Sequence, residues 1–180
     1  NNVLNATNSV NDYWISNERH GNFPLFYDQN NCSESRYYTF FICSSELNVF
    51  WNQDDFLDNR SDSEILETIE KNEFQFCSAY SLSRNGPECY DFEVLDSDVL
   101  YTNENKKVYF LKTAYTLNDC IDIPHGDLCW NHLDTYPVVR TVGLIFEGNG
   151  SWEIVSESNK HIFDQHYHEI IHMMKSFSFK

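Results

Sequence analysis

Near the end of the chain, apolar and polar positions separate onto two faces of one predicted element. Phe163, Tyr167, Ile170, Ile171, Met174 and Phe177 recur at spacings of 4, 3, 1, 3 and 3, which at about 100° per residue gathers them on one side of a helix. His161, Gln165, His168, His172 and Lys175, spaced 4, 3, 4 and 3, fall on the opposite side. The run from His161 to Phe179 is therefore expected to be an amphipathic helix whose first face is buried. Just before it, Ser151-Trp152-Glu153-Ile154-Val155 has strand character, and Gly148-Asn149-Gly150 reads as the turn that leads into it.

The rest of the chain reads mostly as strands. Tyr13-Trp14-Ile15 and Phe23-Pro24-Leu25-Phe26-Tyr27 are expected at a sheet edge, where Pro24 is tolerated. Arg36 to Cys43, rich in aromatic and β-branched residues, is expected to form a hairpin with Glu46 to Trp51. Ser61-Asp62-Ser63-Glu64 fits a capping box, so a helix is expected to begin there, with Ile65, Leu66 and Ile69 on its apolar face. Its acidic first turn suits the positive end of the helix dipole. From Gln75 the pattern turns strand-like, predicting a hairpin of Phe76–Leu82 and Cys89–Leu95 about Asn85-Gly86-Pro87. A short Val99-Leu100-Tyr101 piece, a strand over Lys107–Leu117 and another over Val138–Glu147 follow. Residues 118–137 show no periodicity and are expected to form a loop, which makes them a candidate binding surface through His125, Trp130 and His132.

The length, 180 residues, suits one domain with a substantial core. Residues 1–11 read as a polar tail and 12–180 as the single domain. Twelve basic against twenty-eight acidic residues give a net charge of −16, which repels nucleic acid and anionic lipid. The 14 Phe, 11 Tyr and 4 Trp supply the buried area that a disordered acidic chain would lack.

Six cysteines, at 32, 43, 77, 89, 120 and 129, suggest three local disulfides: Cys32 with Cys43, Cys77 with Cys89, and Cys120 with Cys129. Fifteen connectivities are open in principle. Cys77 and Cys89 are expected to face each other across their hairpin. Sequons at Asn5, Asn31, Asn59 and Asn149 are candidate glycosylation sites. With the even cysteine count and the acidity they point to an extracytoplasmic protein, secreted or anchored at the outer face of the cell membrane. No transmembrane segment or signal peptide is seen, and the start at Asn1 looks processed.

Catalytic signatures are absent: the chain carries no nucleophile elbow, no phosphate-cradling glycine loop and no two-histidine zinc-protease motif, so no enzyme activity is expected. Asp54, Asp55 and Asp58 lack the spacing and central glycine of a calcium loop and read as solvated surface. His168 and His172 stand one turn apart and are candidate ligands for copper or zinc, with His161 further back. A third or fourth ligand would have to come from His125, His132, Asp164, Glu169 or a second subunit. Otherwise no cofactor is expected. Tyr- and Trp-lined binding of a glycan or small ligand is a third class, since those residues serve sugars and cores alike.

The order of elements, and above all the hairpin through Gly148-Asn149-Gly150 into Trp152-Glu153-Ile154 followed by a helix closing on Met174-Lys175-Ser176-Phe177, resembles the PsbP-like family. That family includes extrinsic subunits of photosystem II and secreted or lipid-anchored archaeal proteins. The resemblance is best over residues 106–180. It implies an α+β fold, an antiparallel sheet with helices on both faces and the C-terminal helix packed on it. It also implies a non-enzymatic accessory role, docking on or stabilising a larger membrane or cell-surface assembly through a protein partner. The cysteine pairs and the loop they tie depart from the family pattern and imply a specialised surface.

Overall fold

The computed structural model describes residues 9–10, 17–27, 44–53, 59–80, 88–120 and 133–178. They form strands β1 (Ser9–Val10), β2 (Asn17–Tyr27) and β3 (Ser44–Gln53), helix α1 (Asp62–Tyr80), strands β4 (Glu88–Tyr101), β5 (Lys107–Cys120), β6 (Leu133–Glu147) and β7 (Gly150–Asn159), and helix α2 (Lys160–Lys175). The strands make one seven-stranded sheet in the order β1-β2-β3-β7-β6-β5-β4, with every pair antiparallel. The class is α+β, as expected. Strands β4 to β7 form a meander. Because β3 pairs with β7 while β4 closes the far end, α1 has to travel across the sheet to connect them.

Helix α1 starts where the capping box predicts. The Ser61 amide donates to Glu64 Oε2 at 2.9 Å and the Glu64 amide to Ser61 Oγ at 3.4 Å, the reciprocal pairing that satisfies two otherwise orphaned N–H groups. The helix then continues through Phe76 and Cys77 to Tyr80, so the expected Phe76–Leu82 strand is corrected to the last turns of α1. Ile65, Ile69, Glu73 and Cys77 are all buried at four-residue spacing. Glu73 interrupts the apolar stripe in sequence without interrupting it in space.

Strand β4 absorbs the separate Val99–Tyr101 piece. Register shifts between Tyr90 and Glu93 and between Val94 and Asp96, with Asp91 at a φ of 55°, break its alternation. The expected hairpin of 36–43 with 46–51 is also corrected. Over that stretch β3 has β2 on one side and β7 on the other, leaving no edge for a third strand; residues 36–43 themselves lie outside the described set. The long loop shrinks as well, since Asn118 pairs with Thr135, Asp119 with Asp134 and Cys120 with Leu133. Ser9 and Val10 of the expected tail pair with Arg19 and Glu18, while Tyr13-Trp14-Ile15 falls outside the described residues.

The β6–β7 turn is as expected. Glu147 pairs with Gly150, and Gly148 has a φ of 62°, the conformation a type II′ turn requires at its first central position. Gly150 is demanded by closeness: a Cβ there would lie 2.3 Å from the Asn52 carbonyl oxygen and 2.6 Å from the Trp51 ring.

Helix α2 begins under the Asn159 side chain, which accepts from the His161 amide at 3.0 Å. It ends at Lys175, where the Asn103 amide in the β4–β5 turn donates to the Lys175 carbonyl at 2.7 Å. Phe163, Ile170, Met174 and Phe177 are buried as the periodicity predicts, and Ile162 and Met173 join them. Phe163, Ile170, Met173, Met174 and Phe177 pack with Leu47, Val49, Val108, Phe110, Val139, Ile145 and Ile154. Ile65 and Ile69 of α1 pack with Tyr109, Leu111, Val142, Leu144 and Val155. Among the described residues no helix is long and apolar enough to cross a membrane.

Candidate functional site

The polar face of α2 carries His161, His168 and His172, all exposed. His161 Nε2 lies 3.0 Å from the Gln165 amide nitrogen, one turn on, and the His168 ring lies 6.1 Å from that of Tyr167. His168 and His172 keep the i, i+4 relation expected of them, but among the described residues no three His, Cys, Asp or Glu side chains gather into a set that could hold a metal. Asp164 is engaged by Lys160 at 3.4 Å, and Glu169 lies 4.0 Å from His166 Nδ1. What the i, i+4 pair on α2 offers a metal ion is two imidazoles.

His125, Cys129, Trp130 and His132 lie outside the described residues, as do Asn5, Asn31, Cys32, Cys43 and the Asp54, Asp55 and Asp58 run. Cys120 is the last residue of β5. Asn59 and Asn149 are exposed, the first just ahead of α1 and the second at the tip of the β6–β7 turn, where an acceptor asparagine is accessible. Cys77 and Cys89 form a disulfide with their Cα atoms 5.3 Å apart. The bridge fastens the last turn of α1 to the start of β4, and buried Cys77 packs with Tyr115 and Val138.

Beneath α1 lies a buried charged network that the sequence does not announce. Arg140 donates from Nε to Glu73 Oε2 at 2.6 Å and from Nη1 to Glu157 Oε2 at 2.8 Å, and its guanidinium carbon sits 4.3 Å from the centre of the Phe76 ring. Desolvation pushes the Glu73 carboxyl above its ordinary value against the opposing pull of Arg140, while the nearby carboxylates of Glu153 and Glu157 add to the rise. Buried Arg140 is held above its ordinary value because the attraction of Glu73 and Glu157 outweighs its own desolvation. A fixed cation joining a helix to two strands is a structural clasp.

Open surface chemistry gathers on the outer face of α1. Glu67, Glu70, Lys71 and Phe74 of the helix and Phe92 of β4 line an open groove of about 360 Å³, and the Phe74 and Phe92 rings meet edge to face at 5.5 Å. The large hydrophobic side chains that stand exposed among the described residues are Phe74 at 54%, Val94 at 36%, Leu95 at 41% and Tyr101 at 50%. All four belong to α1 or β4. Asp91, Glu93, Asp96 and Asp98 are exposed on the same strand, which ends the sheet among the described residues. Reading the sequence as a strand from Gln75 hides this patch. Continued as a helix, the Ile65, Ile69, Glu73, Cys77 stripe leaves Phe74 off the buried face, and that misplacement is the signal.

No family model and no curated protein matches the chain. Among solved structures it is similar to the crystal structure of a protein of unknown function from Pseudomonas aeruginosa, with 8% sequence identity and a TM-score of 0.48 over 95% of this chain and 89% of that one.

Proposed function

We propose that this chain is a non-enzymatic, extracytoplasmic accessory subunit that docks on or stabilises a larger membrane or cell-surface protein assembly. The fold proposed for it is a PsbP-like α-β-α sandwich. The alternation along β5 supports the sandwich: Tyr109 and Leu111 belong to the cluster of α1, and Val108 and Phe110 to that of α2, while successive strand residues point to opposite faces. The accessory role rests on one observation: exposed Phe74 of α1 meets Phe92 of β4 edge to face beside an open groove, on a strand that also exposes Val94 and Leu95. Apolar side chains exposed singly need no explanation, whereas several together beside a groove mark an interaction surface. The Cys77–Cys89 bridge and the accessible sequons at Asn59 and Asn149 support an oxidising compartment.

Purification of the tagged chain from its native membrane fraction under mild conditions tests this reading. A protein partner in fixed stoichiometry is expected, retained by a Trp130→Ala variant and lost from Phe74→Glu. Recovery of the chain alone would overturn the reading. Loss with Trp130→Ala only would move the docking surface to the 121–132 segment.

A further inference from the structure

Along β4 the register sorts side chains by chemistry. Glu93 stands opposite Ala114, Asp96 opposite Lys112 and Asp98 opposite Phe110. Ala114 and Phe110 pack in the cluster of α2, and Lys112 lies over the rings of Phe163 and Tyr167, 4.9 and 4.4 Å from their centres. Residues directly paired across a ladder share a face, so Glu93, Asp96 and Asp98 line the α2 side of the edge. Val94 stands opposite Thr113 and Val99 opposite Tyr109; Tyr109 and Val99 belong to the cluster of α1, and Phe92 meets Phe74 of α1. The α1 side of the same edge therefore carries Phe92, Val94 and Val99, with Ser97 opposite Leu111 as its polar member. Among the described residues β4 pairs only with β5, so one edge of the strand lies outside the ladder, and the Val99 N–H donates to Asp98 Oδ1 at 2.7 Å.

We infer that the occupant of this edge is an extended segment of a partner protein whose side chains alternate basic and apolar, added to β4 as a further strand. In such a strand one set of side chains meets Glu93, Asp96 and Asp98, and the other lies over Phe92, Val94 and the Phe74 groove. The backbone supplies the ladder and the alternation supplies the selectivity. A second copy of this chain does not fit, because pairing β4 with β4 would set its carboxylates against each other. Anionic lipid is disfavoured on the same ground. The inference deepens the accessory-subunit reading by naming the chemistry of the partner, and its test needs no native assembly.

Four synthetic peptides of about ten residues, the length of an ordinary strand, provide that test by titration calorimetry. The first alternates lysine and valine; the second has the same composition with all lysines first; the third and fourth repeat the first with N-methyl groups along one edge or the other. The alternating peptide is expected to bind at least about tenfold more tightly than the blocked one, a difference that register and not charge alone would produce. N-methylation is expected to abolish binding on one edge and spare it on the other, since only one edge faces β4. The triple variant Glu93→Lys/Asp96→Lys/Asp98→Lys is expected to lose binding, as is Leu95→Glu, each with an unchanged circular dichroism spectrum. Equal binding of the first two peptides, equal effects of the two N-methylated forms, or no binding of the alternating peptide would each overturn the inference. If the chain purifies alone from its membrane yet binds the alternating peptide with these controls, the assembly reading fails and the edge stands.

Discussion

Arg140 shows how one residue can hold three elements while leaving little trace in sequence. Its side chain is 12% exposed, and those of Glu73 and Glu157 are 7% and 8% exposed. Removing the cation leaves two buried carboxylates facing each other. Arg140→Ala is expected to cost about 3–5 kcal/mol in chemical denaturation; a loss below about 1 kcal/mol, the range of surface pairs, would contradict the clasp. Glu73 makes a prediction of opposite sign. Burial raises its carboxyl, so as pH falls the folded chain takes up that proton before the unfolded chain does. Stability from this group grows between the raised value and the ordinary glutamate range, and the charged form costs stability at neutral pH. Glu73→Gln keeps an acceptor for Arg140. It is expected to raise the unfolding midpoint at neutral pH, with the gain shrinking as pH falls through that window, and a lower midpoint at every pH would refute this account. Asp62 runs the other way: hydrogen bonds from Lys107 and then Tyr109 hold its carboxyl low, so its contribution is present above the ordinary aspartate range and lost on acidification. None of these pairings is legible in sequence, because Glu73 and Arg140 lie 67 positions apart.

Elements written into local sequence are read well, and those that depend on distant partners are not. The start of α1 is fixed by four consecutive residues, and the faces of α2 by a period repeated over four turns. Past Gln75, α1 continues the four-residue stripe through Glu73 to Cys77, and the acidic Glu73, buried against the distant Arg140, hides that stripe from a reading of local pattern. The two bulges in β4 likewise divide one strand into two short ones when read by alternation. The Cys77–Cys89 pairing is correct as expected, although it ties a helix to a strand and not two strands of a hairpin. With a separation of 12 residues, loop-closure entropy makes it worth about 3 kcal/mol. The Cys77→Ser/Cys89→Ser variant is expected to lose roughly that much in denaturant, and unchanged stability would argue against the bridge. For α2, His168 and His172 have no converging third group among the described residues, and two imidazoles alone make an incomplete metal site. Zinc titration of the wild type is accordingly expected to show no tight saturable site, whereas a tight one abolished by His168→Ala/His172→Ala would reinstate the metal reading.

At the scale of the whole molecule, α+β class follows from strand runs mixed with capped helices, but the strand order does not. Pairing β3 with β7 joins segments about a hundred residues apart, and each of those strands is equally compatible in sequence with other neighbours. Among the described residues that order leaves β4 at the end of the sheet, with Glu93, Asp96 and Asp98 on one side and Phe92, Val94 and the Phe74 groove on the other. It also sets part of the net charge of −16 along one side of that strand, at Glu93, Asp96 and Asp98. Site-resolved photocrosslinking in the native membrane tests the docking role most directly, with a photoreactive residue at Leu95 on β4 compared with one at Gln165 on the exposed face of α2. A crosslink to a single protein is expected from position 95 and none from position 165. No crosslink from position 95, or the same products from both positions, would contradict the docking role.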